Sequence, residues 1–280
     1  MGSSFNLNKN ILIAENKFPK VSILIATNRF DNQCYQSIQS CLEVNYTSFE
    51  VVLVLNGTDI DTFFANQAEF IKDSRLIVVQ TKIKGLSNAL NYGLNFCRGE
   101  YIARMDSDDI CEPNRLKVQS QLLDSRLDIN MVCGSALIID LNGNSCGRMN
   151  CKNKAFGILD FVLRNPIIHP SIMVRTEKLK NFGGYVHIDG GAEDYVTWLK
   201  IILEKPNSIQ GISDVLIKYR KADFDHPRIK RDLIQKRTLL IGQVYAFTKT
   251  LNIIWLFAIF YSFLRLVGVI IFPKSVRKKF

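Results

Sequence analysis

The sequence predicts an α/β fold, with a mainly parallel central sheet, flanking helices and a C-terminal helical appendage. Three observations carry this. Short, nearly continuous apolar runs recur at 21–26, 51–55, 76–80 and 101–105, as expected of strands buried on both faces. Helical periodicity fills the intervals, and strands alternating with helices imply parallel pairing through crossover helices. Charge is also partitioned: residues 218–280 hold 14 basic and 3 acidic side chains, whereas 1–217 hold 22 and 23. The body is neutral, and the net +10 belongs to the appendage.

Residues 1–20 read as a polar lead-in to a body over 21–222, with a basic, apolar helical region over 223–280. After the strand at 21–26, a helix runs through Tyr35, Ile38 and Leu42, and the strand at 51–55 closes at Asn56-Gly57. An amphipathic stretch (Phe63, Phe64, Ala68, Ile71) precedes the strand at 76–80. Ser87 is placed to cap a helix carrying Ala89, Leu90, Leu94 and Phe96. The strand at 101–105 runs into Asp106. Pro113 suits the first turn of a helix reaching about Leu123. A strand is expected over 131–140 with a turn at Asn142-Gly143, a helix over 155–164, and a short strand over 171–175. An amphipathic helix over 193–203 and a strand over 215–219 close the body.

A chain of 280 residues with 47% hydrophobic and 22% charged residues is globular, which excludes disordered and collagen-like classes. Seven cysteines without a C-x-x-C pair read as buried free thiols in a reducing compartment, with no zinc spacing. No charged n-region precedes an apolar stretch at the start, so the body is expected in the cytoplasm. There is no P-loop and no G-x-G-x-x-G after a strand.

The candidate site is Asp106-Ser107-Asp108-Asp109, at the C-terminal end of an apolar strand, where open parallel sheets bind ligands. Carboxylates at i and i+2 converge on one hard cation, and Mg²⁺ or Mn²⁺ takes one or two carboxylates with phosphate oxygens completing its shell. Alone, the same residues also read as a solvated acidic turn capping the next helix.

The stretch from Gly85 to Gln119 resembles the family 2 glycosyltransferases of the GT-A fold. It carries their G-x-x-x-A-x-N-x-G, G-E-Y-I-A-R-M-D-x-D-D and P-x-R-L-x-x-Q segments in order. Asn165 to Ser171, Gly183-Gly184-Tyr185, Glu193-Asp194-Tyr195 and Tyr219-Arg220 resemble the subset found in bacterial surface-polysaccharide and O-antigen clusters. Ala26 and Leu55 stand where the family usually has Pro and Asp.

The resemblance implies that Asp106 and Asp108 carry Mn²⁺ or Mg²⁺ against the diphosphate of a UDP-sugar. Asp109 would support that site or touch the sugar, and Arg104 would lie beside the donor. Thr27, Asn28, Arg29 and Asn56 would frame the nucleotide. His169 reads equally as a diphosphate contact or a satisfied buried histidine. Inverting transfer needs a base on the acceptor side, opposite the departing phosphate. Acidic residues in a helix's first turn are by themselves ordinary dipole chemistry. With the resemblance, Asp194 becomes the expected general base and Glu193 positions the acceptor or the loop, with Gly190-Gly191 giving that loop freedom to close over a donor.

Residues 253–272 are apolar apart from Ser262, Arg265 and Gly268, with basic residues on both flanks (Arg228 to Lys249, Lys274 to Lys279). The length suits a span, but Arg265 would be costly at the midplane. A peripheral or monotopic helix, or bent helical pair, on the inner face of the membrane is preferred; one span and a buried core helix are the alternatives. Relatives of this type act on lipid-linked saccharides, so a polyprenyl-diphosphate acceptor is expected and nucleic acid is not. The rival readings are a sugar-nucleotide pyrophosphorylase, whose basic Gly-rich loop is missing at Thr27 to Phe30, and a non-catalytic binder on a degenerate transferase domain.

Overall fold

The computed structural model describes residues 18–57, 73–187, 193–221 and 228–271. Strands β1 (Val21–Thr27), β2 (Phe49–Asn56), β3 (Leu76–Thr81) and β4 (Tyr101–Asp106) form the parallel half of one sheet, ordered β3-β2-β1-β4. Their apolar runs are continuous because both faces are covered. Leu24, Val52 and Val54 join one core cluster with Ala89 and Leu90, while Ile23, Ile25, Val51, Leu53 and Leu55 join another with Cys34 and Ile38. Helix α1 (Asn32–Leu42) supplies Cys34 and Ile38. It starts where the Asp31 carboxylate accepts from the amides of Gln33 (3.1 Å) and Cys34 (3.0 Å), satisfying two free N–H groups of the first turn.

Helix α2 (Leu86–Leu94) explains the G-x-x-x-A-x-N-x-G segment residue by residue. Gly85 enters it at φ +114°, a conformation that L side chains rarely adopt. Ala89 is fully buried. The Asn91 side chain accepts from the Tyr185 amide at 2.7 Å and donates to the Tyr185 carbonyl at 2.8 Å. A Cβ on Gly93 would meet Leu24 Cδ1 and Val54 Cγ2 at 2.6 Å, so the glycine is what lets α2 lie on the sheet.

Beyond β4 the sheet becomes mixed, continuing β9-β6-β10-β5. Strand β9 (Met173–Arg175) runs antiparallel to both β4 and β6 (Met131–Ile139), and β6 is parallel to β10 (Ile209–Arg220). Helix α3 (Arg115–Ser125) staples these halves together. The buried Arg115 guanidinium donates to the carbonyls of Arg104 (2.8 Å) and Ile172 (3.0 Å), and to Gln119 Oε1 (3.1 Å). Gln119 Nε2 in turn donates to the Ser171 (2.9 Å) and Val132 (3.1 Å) carbonyls. The P-x-R-L-x-x-Q segment is thus a buried polar clamp between β4, β6 and the 3₁₀ turn His169–Ser171.

Helix α6 (Glu193–Glu204) is mostly core, with Trp198, Leu199, Ile201 and Ile202 fully buried. Against it packs a hairpin of α7 (Arg228–Thr250) and α8 (Ile253–Ile271). Gln243 donates to the Val162 carbonyl at 2.7 Å, and Ala246, Trp255 and Ala258 enter the first core cluster. The other side of α8 leaves Leu256, Phe257, Phe260, Tyr261, Phe263 and Leu264 exposed. Among the described residues no helix is long and apolar enough to cross a membrane.

Several expectations are corrected. Ser87 does not cap α2: the helix begins earlier, at the left-handed Gly85, and the Ser87 hydroxyl meets His187 Nδ1 at 3.2 Å instead. Pro113 precedes α3, whose N-cap is Asn114. The expected helix over 155–164 is strand β8 (Lys154–Phe156) followed by one turn, α4 (Ile158–Phe161). Pairing of Phe156 with Ile209 overrides the local periodicity there. The expected strand over 215–219 extends back to Ile209 through bulges between Gly211 and Ile217. Strands β5 (Ile110–Cys111) and β7 (Ser145–Met149) and helix α5 (Thr176–Asn181) had no sequence signal. Six of the seven cysteines are buried. The stretch at Phe63 to Ile71, the Gly190-Gly191 loop and the basic residues from Lys274 onward lie outside the described residues.

The clamp sets a stability test. Gln119→Leu keeps the volume but strands two buried carbonyls, at about 1–3 kcal/mol each. A clearly lower thermal midpoint is expected with native far-UV circular dichroism; an unchanged midpoint would refute the clamp.

Candidate active site

The acidic turn is held from behind by a single residue, Arg220, at the end of β10. Its amide donates to Asp109 Oδ1 (2.8 Å) and its Nε to the Asp108 carbonyl (2.8 Å). The remaining guanidinium nitrogens reach the Leu141 carbonyl (3.0 Å) and Gln36 Oε1 (2.9 Å). Ser37 on α1 donates to the Asp106 carbonyl at 2.9 Å. The turn is therefore fixed by elements far apart in sequence. Asp109 is fully buried, and its Oδ2 has no partner. Burial, then the neighbouring charge of Asp106, raises the Asp108 carboxyl above the usual range and the Asp109 carboxyl well above it.

Arg104, one β-strand step pair before Asp106, is buried and forms an ion pair with the Asp106 carboxylate. Its Nε and Nη1 have no partner. Around it stand His169, Tyr185 and Trp198, with ring centroids 5.4 Å (His169 to Tyr185), 5.6 Å (His169 to Trp198) and 6.0 Å (Tyr185 to Trp198) apart. Burial, then the positive charge of Arg104, holds the His169 imidazole well below its usual value and therefore neutral. His169 is a buried aromatic neighbour of Arg104, its Nε2 unpartnered.

The nucleotide-side residues line a pocket of about 420 Å³ at the C-terminal strand ends. Thr27, Asn28, Asn56 and Ser107 share it with Gly57 and the Lys84-Gly85 entry to α2. Asn56 donates to the Gly85 carbonyl at 2.9 Å and keeps a buried Oδ1 without a partner. Leu55 points the other way, into the core, so Asn56 presents the polar group at this strand end. Arg29 is placed differently from the rest: its Nε pairs with Asp31 at 3.0 Å, at the head of α1, and it does not line the pocket.

Glu193 and Asp194 open α6. Asp194 Oδ2 accepts from Asn165 Nδ2 at 2.7 Å, and its Oδ1 accepts from the Tyr195 amide at 2.8 Å. Its carboxyl is pushed up to about 6 by burial and by the Glu193 charge, against the opposing pull of the Tyr195 amide, Arg104 and Asn165. Arg104 thus pairs with Asp106 and acts electrostatically on Asp194: the two acidic sets, 88 positions apart, face one cation.

The family model for glycosyl transferase family 2 matches residues 22–182. The chain belongs to glycosyl transferase family 2. The transferase is 33% identical over 206 residues to the O-antigen biosynthesis glycosyltransferase WbnJ of Escherichia coli, covering 71% of this chain and 79% of that one. It is 27% identical over 210 residues (72% and 74% covered) to an E. coli UDP-Gal:alpha-D-GlcNAc-diphosphoundecaprenol beta-1,3-galactosyltransferase. In fold it is similar to S. aureus TarS in complex with UDP-GlcNAc, with TM-score 0.62, 18% identity and 80% of this chain and 66% of that chain covered. A mannosyltransferase from Pyrobaculum calidifontis, in complex with GDP-Man and Mn²⁺, gives TM-score 0.60 at 19% identity, covering 83% and 65%. The transferase spans just under two thirds of the length of these two solved chains. The fold is GT-A-like, and the enzyme is a glycosyltransferase.

The transferase's acidic turn suits a divalent cation. Among the described residues no group of three or more His, Cys, Asp or Glu side chains forms a metal cage. A Mg²⁺ or Mn²⁺ ion needs only one or two carboxylates when a diphosphate supplies the remaining oxygens. The donor set is hard oxygen, and the orphaned Asp109 Oδ2 and upward-shifted carboxyls mark uncompensated negative charge.

Sequence reasoning named the acidic residues but missed their supports. Arg220, Asn165 and Tyr219, whose hydroxyl burial and the three aspartates push up to about 12, were legible only as motif letters. Arg220→Ala should loosen the turn and raise the donor KM about tenfold, equivalent to about 1.4 kcal/mol, in a nucleotide-release assay. An unchanged donor KM would remove Arg220 from the site.

Proposed function

We propose that this transferase moves a hexose or N-acetylhexosamine from a UDP-sugar to a lipid-linked saccharide, with inversion at the anomeric carbon, in surface-polysaccharide biosynthesis. The observation that carries the reading is Arg104, which pairs with Asp106 and whose charge also acts on Asp194. One carboxylate set serves the leaving group and the other serves the acceptor.

Thr27, Asn28 and Asn56 hold the nucleotide at the strand-end pocket, with the free Asn56 Oδ1 as an acceptor for a donor N–H. Asp106 and Asp108 hold Mn²⁺ or Mg²⁺ against the diphosphate, Asp109 backs them, and Arg104 adds positive charge beside the donor. When bound, the metal neutralises charge developing on the leaving diphosphate. Asp194 takes the proton of the acceptor hydroxyl as that oxygen bonds to the anomeric carbon and the bond to the diphosphate breaks. Its elevated pKa makes it a stronger base than an ordinary carboxylate. Glu193 maintains that elevation. His169, neutral and packed at an angle against Tyr185 and edge-on to Trp198, helps fix the environment of Arg104.

The α7–α8 hairpin supports work at the cytoplasmic face of the membrane. With Trp255, Ala258 and Ser262 buried, the exposed apolar face of α8 suits lying in the interface, monotopic rather than spanning.

A screen for UDP release across UDP-Gal, UDP-Glc, UDP-GlcNAc and UDP-GalNAc, with a diphosphate-lipid-linked acceptor and with or without Mn²⁺, tests the reading. Metal-dependent turnover with one donor is expected; metal-independent turnover would remove the role of Asp106 and Asp108. Because Asp194 works deprotonated, kcat/KM should fall tenfold per pH unit below about 6. Asp194→Asn should cost about 10²–10⁴-fold. Asn165→Ala removes a hydrogen bond that favours the charged form, so the acidic limb should move to higher pH. A limb that stays in place would assign the titration to another group.

A further inference from the structure

A second cavity, of about 490 Å³, opens between the head of α6 and the C-terminal hairpin. Arg164, Asn165, Asp194, Lys236 of α7 and Arg265 of α8 are among its lining residues. We propose that Arg164, Lys236 and Arg265 form the subsite for the diphosphate of the lipid-linked acceptor, with its lipid chain led along the exposed apolar face of α8. The inference rests on the reading of Asp194 as the acceptor-side base.

Three arguments support it. The first is charge: the lining brings together three cations and one carboxylate, a balance complementary to a diphosphate carrying two or more negative charges. The cations are not counter-ions of Asp194, since the charges acting most strongly on that group are Glu193 and Arg104, and burial drives it up rather than down. The second is Arg265 itself. It is the one charged side chain of the apolar helix α8, and it lies in the cavity lining. It lies over the Tyr261 ring, 5.7 Å from the centroid, which directs its charge while the ring extends the apolar surface. The third is continuity. One helix, α8, supplies both Arg265 in the cavity lining and the exposed apolar side chains Phe257, Phe260 and Leu264, so a lipid chain and its diphosphate meet the same element.

A phosphoryl group could also come from an anionic lipid headgroup, so the test separates the two sources. The full chain and its Arg265→Gln/Lys236→Gln variant are titrated with citronellyl diphosphate in the presence of saturating UDP, which occupies the donor site. Both are also titrated with vesicles of phosphatidylethanolamine and phosphatidylglycerol. The variant should bind the alkyl diphosphate about tenfold or more weakly, with vesicle affinity within about twofold of the parent. Unchanged diphosphate affinity overturns the subsite; parallel loss of both affinities assigns the cations to headgroups and also overturns it. Arg164→Gln, at an exposed position on a separate element, should weaken diphosphate binding in the same direction, and Arg265→Lys should recover most of it. If neither does so, the loss in the double variant is structural and the assignment falls. Binding requires no turnover. A parent that binds the alkyl diphosphate at this subsite but transfers no sugar to a diphosphate-linked acceptor would overturn the proposed reaction and leave the subsite standing.

Discussion

A guanidinium carried into the interior must find counter-charge and hydrogen bonds there, because desolvation costs several kcal/mol. Arg104 meets that demand with Asp106, and the rest of the site is arranged by the consequence. Pairing fixes the first carboxylate of the acidic turn at the end of β4. The Arg104 carbonyl accepts from Arg115, which also binds the Ile172 carbonyl and so brings the turn containing His169 beside β4. The unspent nitrogens of Arg104 face a neutral histidine and a tyrosine and tryptophan. Its charge reaches Asp194 on the next element. One buried cation thereby couples the donor side to the acceptor side.

The two sides differ in rigidity for a physical reason. The acidic turn is fastened by Arg220 and Ser37 through the carbonyls of Asp106 and Asp108 and the Asp109 carboxylate, while the Asp106 carboxylate pairs with Arg104. Asp194 is oriented by one amide, Asn165, and one backbone N–H. Two hydrogen bonds leave burial as the larger influence, which is why its carboxyl titrates near 6. The hairpin then closes the acceptor side. Gly242 permits the close approach of Tyr195, whose hydroxyl donates to the Phe161 carbonyl at 2.6 Å. Basic side chains of both hairpin helices reach the cavity beside Asp194.

The first half of the fold was legible because β1 to β4 are buried on both faces and therefore read as unbroken apolar runs. Strand β7 is exposed along most of its length and has no such pattern. Strand β8 exists through its pairing with β10, a partner more than 50 positions away, and local periodicity there pointed to a helix. In the site, Asp106, Asp108 and Asp194 were legible because strand ends and helix starts expose charge. Their supports were not, since Arg220 and Asn165 acquire meaning only from hydrogen bonds spanning 111 and 29 positions. Arg29 pairs with Asp31 at the head of α1, while its charge also acts on Asp108 of the acidic turn. Arg265 read as a flaw in a membrane helix, yet it lines a cavity.

The central claim is that Asp194 acts as a base on the acceptor, across the anomeric carbon from the diphosphate held by Asp106 and Asp108. The most direct measurement is the anomeric proton coupling constant of the transferred sugar in the purified product, compared with that of the donor. An inverted configuration is the result this arrangement predicts. Retention would require the new bond to form on the leaving-group face, and would contradict the role of Asp194.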